Sequence, residues 1–428
     1  MDMTNSAPGK HYARPELLAP AGTLEKLKIA VHYGADAVYL GSGPWSLRAH
    51  AVMGPDDLAQ GVAYAHAHGV RAYVTVNIMA HNRDLAGLPA YLQFLREAGV
   101  DGAIIGDPGV FALARRTVPE LPIHLSTQAN VTNHESALFW QQQGAERLNL
   151  ARELSLAEIR EIRAAVRLKL EIFVHGALCI SYSGRCSLSL YMTGRDANLG
   201  QCAHPCRYRY ALLEEKRPGQ YFPVEEDSRG AYIFNSKDLC LLHRLPALIG
   251  AGADSLKLEG RMKSIYYVGA IVRLYRAALD YVSSEIERHG PGQLEAITLP
   301  PAFDEELLKI GSRGFTENFF TEPPDEKDML HQGIDYQQTH APVGLVHEGG
   351  DSPLIETRNP IALGDIVEYM DLGLNNRAVR VTGLTDEEGK ALPRANPGAL
   401  IRLRTEPGLA GAESLGLLRR KIPATESS

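Results

Sequence analysis

The sequence predicts an α/β protein: a (β/α)8-type parallel barrel with an inserted cysteine-rich loop region, followed by a small C-terminal antiparallel β-barrel. Three observations predict it. A short phrase recurs four times in the first 260 residues, eight apolar runs alternate with helical sequence, and the period changes to short alternating strands near Ala341.

ELLAPA (16–21) reads as the first strand and TLEKLKIAVHY (23–33) as the helix after it. The recurring phrase appears in YGADAVYLG (33–41), AGVDGAIIG (98–106), QGAERLNLA (143–151) and AGADSLKLEG (251–260). Glycine, a small residue, an acid and an apolar run describe a helix closed at its C-terminus and followed by a buried strand. RAYVTVN (71–77), PIHLSTQ (122–128) and LEIFVHG (170–176) supply the remaining strands, and LPAYLQFLREA (88–98) and SLAEIREIRAAV (155–166) carry apolar residues at helical spacing. A doubly wound open sheet would use the same repeats, but no G-x-G-x-x-G comes after the first strand. MKSIYYVGAIVRLYRAALDYV (262–282) reads as the amphipathic helix that closes the barrel. The barrel is therefore expected over 15–285, with the insertion at 176–237. A Pro- and acid-rich connector is expected over 286–340, and a β-barrel module with its own core over 341–422, built from PVGLVHE, GDIVEYMD, RAVRVTGLTD and ALIRLRTE.

Hydrophobic residues make up 45% of the 428, enough for a large core. No run approaches the ~18 apolar residues of a membrane span, and MDMTNSAPGKHYARPE lacks the apolar stretch of a signal peptide. The expected compartment is the cytoplasm, with no membrane partner. The net charge of −7 argues against general nucleic-acid binding. Locally the balance reverses: 175–217 carries Arg185, Arg195, Arg207, Arg209, Lys216 and Arg217 against Asp196, Glu214 and Glu215. Tyr182, Tyr191, Tyr208 and Tyr210 in the same stretch could stack an unpaired base or simply pack.

Four of the five cysteines, Cys179, Cys186, Cys202 and Cys206, fall in HGALCISYSGRCSLSLYMTGRDANLGQCAHPCRYRY (175–210), spaced C-x6-C-x15-C-x3-C. Cytoplasmic thiols stay reduced, which argues against disulfides. Zinc sites favour two short pairs, and only Cys202/Cys206 complies. A cysteine nucleophile needs one thiol rather than four, with His175 or His204 as base. An iron–sulfur cluster accepts irregular spacing, and the arginines would offset its charge. The chemistry favours the cluster and leaves zinc and a nucleophile open.

Parallel barrels carry their chemistry where strands end. Asn77, Asp107, Gln128, Asn130, Arg152, Glu153, His175, Glu259 and Arg261 occupy those positions. Each also reads as a helix cap or a brace, but together STQAN, ARE, VHG and LEGR form a polar mouth that a purely structural barrel does not need.

The cysteine segment, with PAGTLEKLKIAVHYGADAVYLG, LSTQANVTN, NSKDLC and SLKLEGRMKS, resembles the collagenase-like peptidase family from about Pro15 to the C-terminal module. Within it the chain is most similar to the tRNA uridine 5-hydroxylation proteins. The resemblance implies a hydroxylation factor with a [4Fe-4S] cluster that converts a wobble uridine of tRNA to 5-hydroxyuridine, with prephenate as co-substrate and without molecular oxygen. Its partners would be tRNA, the dicarboxylate and an electron donor. Other members act on a ribosomal RNA cytidine or a quinone precursor, and both remain alternatives, as does an RNA-binding factor whose cluster is structural. A peptidase acting on collagen-like chains is weaker, because neither H-E-x-x-H nor G-x-S-x-G occurs. The resemblance places the cluster ligands among Cys179, Cys186, Cys202, Cys206 and Cys240, and the first four are the expected set. Arg152, Glu153, His175, Glu259 and Arg261 are the expected catalytic residues, and Arg48, Asn77, Gln128 and Asn130 the substrate-binding ones. Arg48, Arg152 and Arg261 would hold the two carboxylates through paired donors. One departure lies in RGFTENFF (313–320), where the family carries a glycine near Asn318.

Overall fold

The alternation of strand and helix closes on itself. A computed structural model describes residues 13–48, 51–179, 181–182, 186–207, 226–227, 230–231, 237–322 and 337–423. Six strand–helix units and a seventh strand begin it: β1 (Glu16–Ala21), α1 (Leu24–His32), β2 (Ala37–Gly41), α2 (Pro55–Ala67), β3 (Arg71–Val76), α3 (Leu88–Glu97), β4 (Gly102–Ile105), α4 (Pro108–Thr117), β5 (Ile123–Leu125), α5 (His134–Gln142), β6 (Arg147–Asn149), α6 (Leu156–Ala165) and β7 (Lys169–Ala177). The eighth barrel strand, Ser255–Leu258, lies parallel to both β7 and β1 and completes the ring. Helix starts obey local chemistry: Thr23 caps α1, and Ser155 with Glu158 forms a capping box on α6.

Alternation along each strand divides the barrel into two environments. Leu17, Val38, Val74, Ile105, Leu125, Leu148, Ile172 and Leu256 face the helices in one apolar core. The residues between them face the lumen, where Leu18, Tyr39, Tyr73 and Ile104 form a small separate apolar cluster. Much of the rest of the lumen is polar. Arg147, 2% exposed, reaches Glu16 at 2.5 Å and Glu171 at 3.1 Å, and Lys257 reaches Glu171 at 2.7 Å. Ser255 and Tyr73 donate to Glu16 at 3.0 and 2.9 Å. Each buried charge therefore has a hydrogen-bonded partner of opposite sign, the condition under which burial is tolerated.

Residues 286–322 of the connector expected over 286–340 are part of the barrel body, and 323–336 lie outside the described residues. The closing helix runs Ile265–His289, seven residues beyond its expected end at 282. After it, helix Ala302–Leu307 buries Phe303 and Leu307 in the barrel core. Strand Phe315–Thr316 extends the barrel sheet through Asp238–Cys240, which is antiparallel to β7. A buried pair, Arg313 to Asp238 at 2.5 Å, fastens these additions together.

The C-terminal module is a closed six-stranded antiparallel barrel of His340–Glu348, Leu354–Thr357, Ile366–Met370, Arg377–Thr385, Leu400–Glu406 and Leu417–Lys421. It has its own core, as expected, but Leu345, Met370 and Leu417 belong to the core of the large barrel. Tyr33 donates to the Met370 carbonyl at 3.0 Å and accepts from the Leu417 amide at 2.9 Å. Arg419, 0% exposed, bonds both oxygens of Glu306 at 2.8 Å, and Arg273 reaches the same carboxylate at 3.0 Å. The two barrels thus share a sealed interface, and deleting the module would take Arg419 from Glu306 and Asn376 from Arg273.

Burial opposes the Glu306 charge, but Arg419, Lys309 and Arg273 outweigh it and hold its pKa at about 2. A folded pKa below the unfolded value contributes stability above about pH 4.5 that is lost as pH falls toward 2. Arg419→Met is expected to cost ~3 kcal/mol at neutral pH. It should also shrink that acid-side loss. Urea unfolding of both proteins between pH 3 and 7 measures both effects.

Candidate active site

The C-terminal ends of the barrel strands open into one cavity. Lumen residues Tyr39, Thr75, Asn149, Phe173 and Lys257 form its floor. Post-strand residues Arg48, Asn77, Gln128, Arg152, Glu259 and Arg261 form its walls, and Cys179, Cys186, Cys202 and Cys206 line it from the inserted loop. The insertion therefore brings four thiols against the barrel mouth.

Glu259 is the acidic residue of this lining. Arg48 stands 3.8 Å from it and Tyr39 donates to it at 3.0 Å. Burial raises the Glu259 pKa, but Arg48, Arg261 and Arg152 outweigh burial and keep the carboxylate ionised. Three guanidiniums and the Lys257 ammonium thus face one lining carboxylate, with Lys257 already committed to Glu171. Arg261 is 3% exposed, and its Nη1 donates to Thr75 Oγ1 at 2.7 Å and Ser46 Oγ at 3.1 Å. Its Nε has no partner among the described residues. Burial pulls the Arg261 pKa down to about 10, a direction that an anionic ligand would reverse.

On the cysteine side, Cys179 and Cys202 act with Glu259 to raise the Arg48 pKa against burial. The His204 amide donates to Cys202 Sγ at 3.4 Å, and Asn198 Nδ2 donates to the Cys186 carbonyl at 3.2 Å. Arg48 and His204 both adopt positive φ, 70° and 57°, a conformation that ordinary side chains take only when their surroundings fix it. All five cysteines are free thiols. Among the described residues, no three His, Cys, Asp or Glu side chains are grouped as a single metal ion requires.

Three expected site residues lie elsewhere. His175 should face the lumen by alternation from Phe173, but β7 carries one extra residue opposite Lys257–Leu258, so His175 pairs with Leu258 and turns outward. There it meets Tyr275, Tyr267 and Phe315, and burial pulls its pKa down to about 4. Gly176, at φ 113°, passes where a Cβ would lie 2.5 Å from the Glu259 carbonyl, so only glycine fits this turn. Glu153 is absent from the cavity lining, and burial raises its pKa despite neighbouring Arg152. Asn130 takes the left-handed residue that ends the turn after β5 and donates to the Gln128 carbonyl at 2.9 Å. Asp107 is the N-cap of α4. Cys240 lies outside the cavity, 3.9 Å from the Tyr275 hydroxyl. Asn318 adopts φ 53°, which suits the glycine of the family pattern and which asparagine tolerates best after it.

Tyr182 lines the cavity and is half exposed, and Tyr191 is 87% exposed on helix Leu188–Thr193. Arg185, Tyr208, Arg209, Tyr210, Lys216 and Arg217 fall outside the described residues. Sequence reading missed Tyr39, Thr75, Ser126, Asn149, Phe173 and Lys257, although a lysine and an asparagine inside buried strands were a usable signal. Among the described residues, no helix is long and apolar enough to cross a membrane.

Comparison with known proteins agrees with this organisation. Residues 22–330 match Peptidase family U32 and residues 338–419 match the Peptidase family U32 C-terminal domain. The tRNA hydroxylation protein P1 of Bacillus subtilis (strain 168) is 38% identical over 92% of this chain and 92% of its own length. The tRNA hydroxylation protein P of Escherichia coli (strain K12) is 37% identical over 90% of this chain and 92% of its own. The 23S rRNA 5-hydroxycytidine C2501 synthase of the same organism is 32% identical over 91% of this chain and 58% of its own.

Proposed function

The chain belongs to peptidase family U32, and on that premise we propose that it hydroxylates tRNA, converting a wobble uridine to 5-hydroxyuridine with prephenate as co-substrate and without molecular oxygen. Relatives named for tRNA hydroxylation, similar over both barrels, support the RNA class. The observation that carries the chemistry is the convergence of four thiols and three arginines on one cavity.

Cys179, Cys186, Cys202 and Cys206 would hold a [4Fe-4S] cluster, which supplies one-electron redox chemistry when bound. The donor set fits such a group: all four thiols belong to one wall, a backbone N–H is directed at Cys202, and Arg48 offsets negative charge. A single zinc ion fits less well, because zinc sites favour two short cysteine pairs and only Cys202/Cys206 complies. Arg48 and Arg261 would grip the dicarboxylate, with Glu259 keeping both oriented. The lumen floor beneath, sealed by Tyr39 and Phe173, would exclude water from the reacting base.

A peptidase reading gains no support from the barrel histidine, since His175 turns away from the cavity. Mass spectrometry of nucleosides from tRNA and ribosomal RNA, with and without the gene, tests the proposal. Loss of a hydroxylated uridine from tRNA alone is expected. Loss from ribosomal RNA alone would favour the cytidine alternative.

A further inference from the structure

Two buried amides on one side of the cavity have hydrogen-bonding atoms that no described residue uses. Gln128, 3% exposed, has no partner for Nε2 among the described residues, and Asn149, 1% exposed, has none for Oδ1. Both line the cavity. An unpaired polar atom this deeply buried is costly, so the arrangement points to something that pairs with it.

The orientation of Gln128 is fixed by a chain of hydrogen bonds that starts at an atom unable to flip. The Leu47 amide donates to Asn77 Oδ1 at 3.2 Å, which turns Asn77 Nδ2 toward Ser126 Oγ at 3.5 Å. Ser126 Oγ in turn donates to Gln128 Oε1 at 3.2 Å. The Gln128 NH2 is therefore left as a donor. Gly106 makes room for it, since a Cβ there would stand 3.2 Å from Gln128 Cβ. Asn149 makes no side-chain bond among the described residues, so its amide is free to turn its oxygen, as an acceptor, beside that donor on the neighbouring strand.

Their position separates them from Arg48 and Arg261. In a closed ring of eight strands, β5 and β6 stand opposite β1 and β2. Gln128 comes after β5 and Asn149 ends β6, whereas Arg48 comes after β2 and Arg261 after the strand beside β1. A carboxylate could pair with both amides through their NH2 groups, but Arg48 and Arg261 offer it charged donors across the ring. A group carrying an acceptor and an N–H side by side satisfies both, and the Watson–Crick edge of uracil is such a group.

We infer that Gln128 and Asn149 form the base-reading subsite, pairing with a carbonyl oxygen and the N3–H of the uracil while the arginines across the mouth hold the anion; this rests on the proposed tRNA hydroxylation. Gln128→Glu replaces the donor by an acceptor of equal shape, and Asn149→Leu deletes the acceptor. With unmodified tRNA and prephenate, each variant should lose kcat/KM for tRNA on the order of 10- to 100-fold, with KM for prephenate, iron content and melting temperature unchanged. As a measurement independent of turnover, wild-type protein irradiated with tRNA containing 4-thiouridine should cross-link within Ser126–Asn149. Wild-type kcat/KM in both variants, or cross-links confined to the cysteine-rich loop, would overturn the subsite. Wild-type protein that leaves tRNA unmodified would overturn the tRNA reading instead, and the cross-link position alone would then decide the subsite.

Discussion

Cys186→Ala protein purified without oxygen is expected to be colourless and nearly free of iron, where wild-type protein is brown and carries about four iron and four sulfide per chain. Cys186 lines the cavity with three other thiols, and removing one of four thiolates opens a cluster to solvent and loss. The same assay separates the two candidates for the fourth ligand. Cys206 lines the cavity, and Cys206→Ala should strip iron as Cys186→Ala does. Cys240 lies on Asp238–Cys240 beside Tyr275, outside the cavity, and burial pushes its thiol up to about 11, so it resists the thiolate form a ligand needs. Cys240→Ala should therefore keep its iron. The reverse pattern would move the fourth ligand to Cys240, and stoichiometric zinc in colourless, active protein would remove the cluster from the account.

Arg261→Ala and Arg261→Lys are both expected to lose tRNA hydroxylation, on the order of 100-fold or more in kcat/KM, while keeping iron. The guanidinium uses Nη1 to bond Thr75 and Ser46 and leaves Nε buried without a partner among the described residues. A carboxylate bound there would pair with the remaining donors as a fork. Lysine keeps the charge but has no planar fork, so it can anchor on Thr75 or meet a carboxylate, not both in the same geometry. If Arg261 merely braces the barrel, lysine should restore activity and the loss should track thermal stability. If it binds the dicarboxylate, KM for prephenate should rise in both variants while the melting temperature of the lysine variant stays near wild type. Hydroxylation by Arg261→Ala at the wild-type rate under limiting prephenate would refute the role.

Both barrels were legible in the sequence because their signals are local. Glycine after a helix, an acid and a short apolar run recur in phase with β2, β4, β6 and the eighth barrel strand, and each lies inside its expected segment. Two C-terminal strands were not. LIET (354–357) is only four residues long, and LLRRK (417–421) buries three residues in succession because it packs on both barrels and does not alternate. The connector was misread because Pro and acid usually mark linkers, whereas here Glu306 is the buried partner of two arginines distant in sequence. At the site, Arg48, Asn77, Gln128, Arg152, Glu259 and Arg261 were legible because each stands in the segment after a barrel strand, where this architecture concentrates its chemistry. His175 was misassigned by the same rule, since one bulged residue reverses the alternation and no residue type announces it. Asn149 and Lys257 were overlooked because they lie within strands, where polarity becomes functional only once the lumen is known to be open above them.

The most direct test is the amount of 5-hydroxyuridine in tRNA from cells lacking the gene and re-expressing either the wild-type chain or Cys202→Ala at equal level. Cys202 joins the thiol wall to the arginine mouth through its position near Arg48, so it probes both halves of the site at once. The account predicts that the wild-type chain restores the hydroxylated nucleoside and that Cys202→Ala leaves it absent. Equal 5-hydroxyuridine in cells with the wild-type chain, with Cys202→Ala and with no chain at all would contradict it.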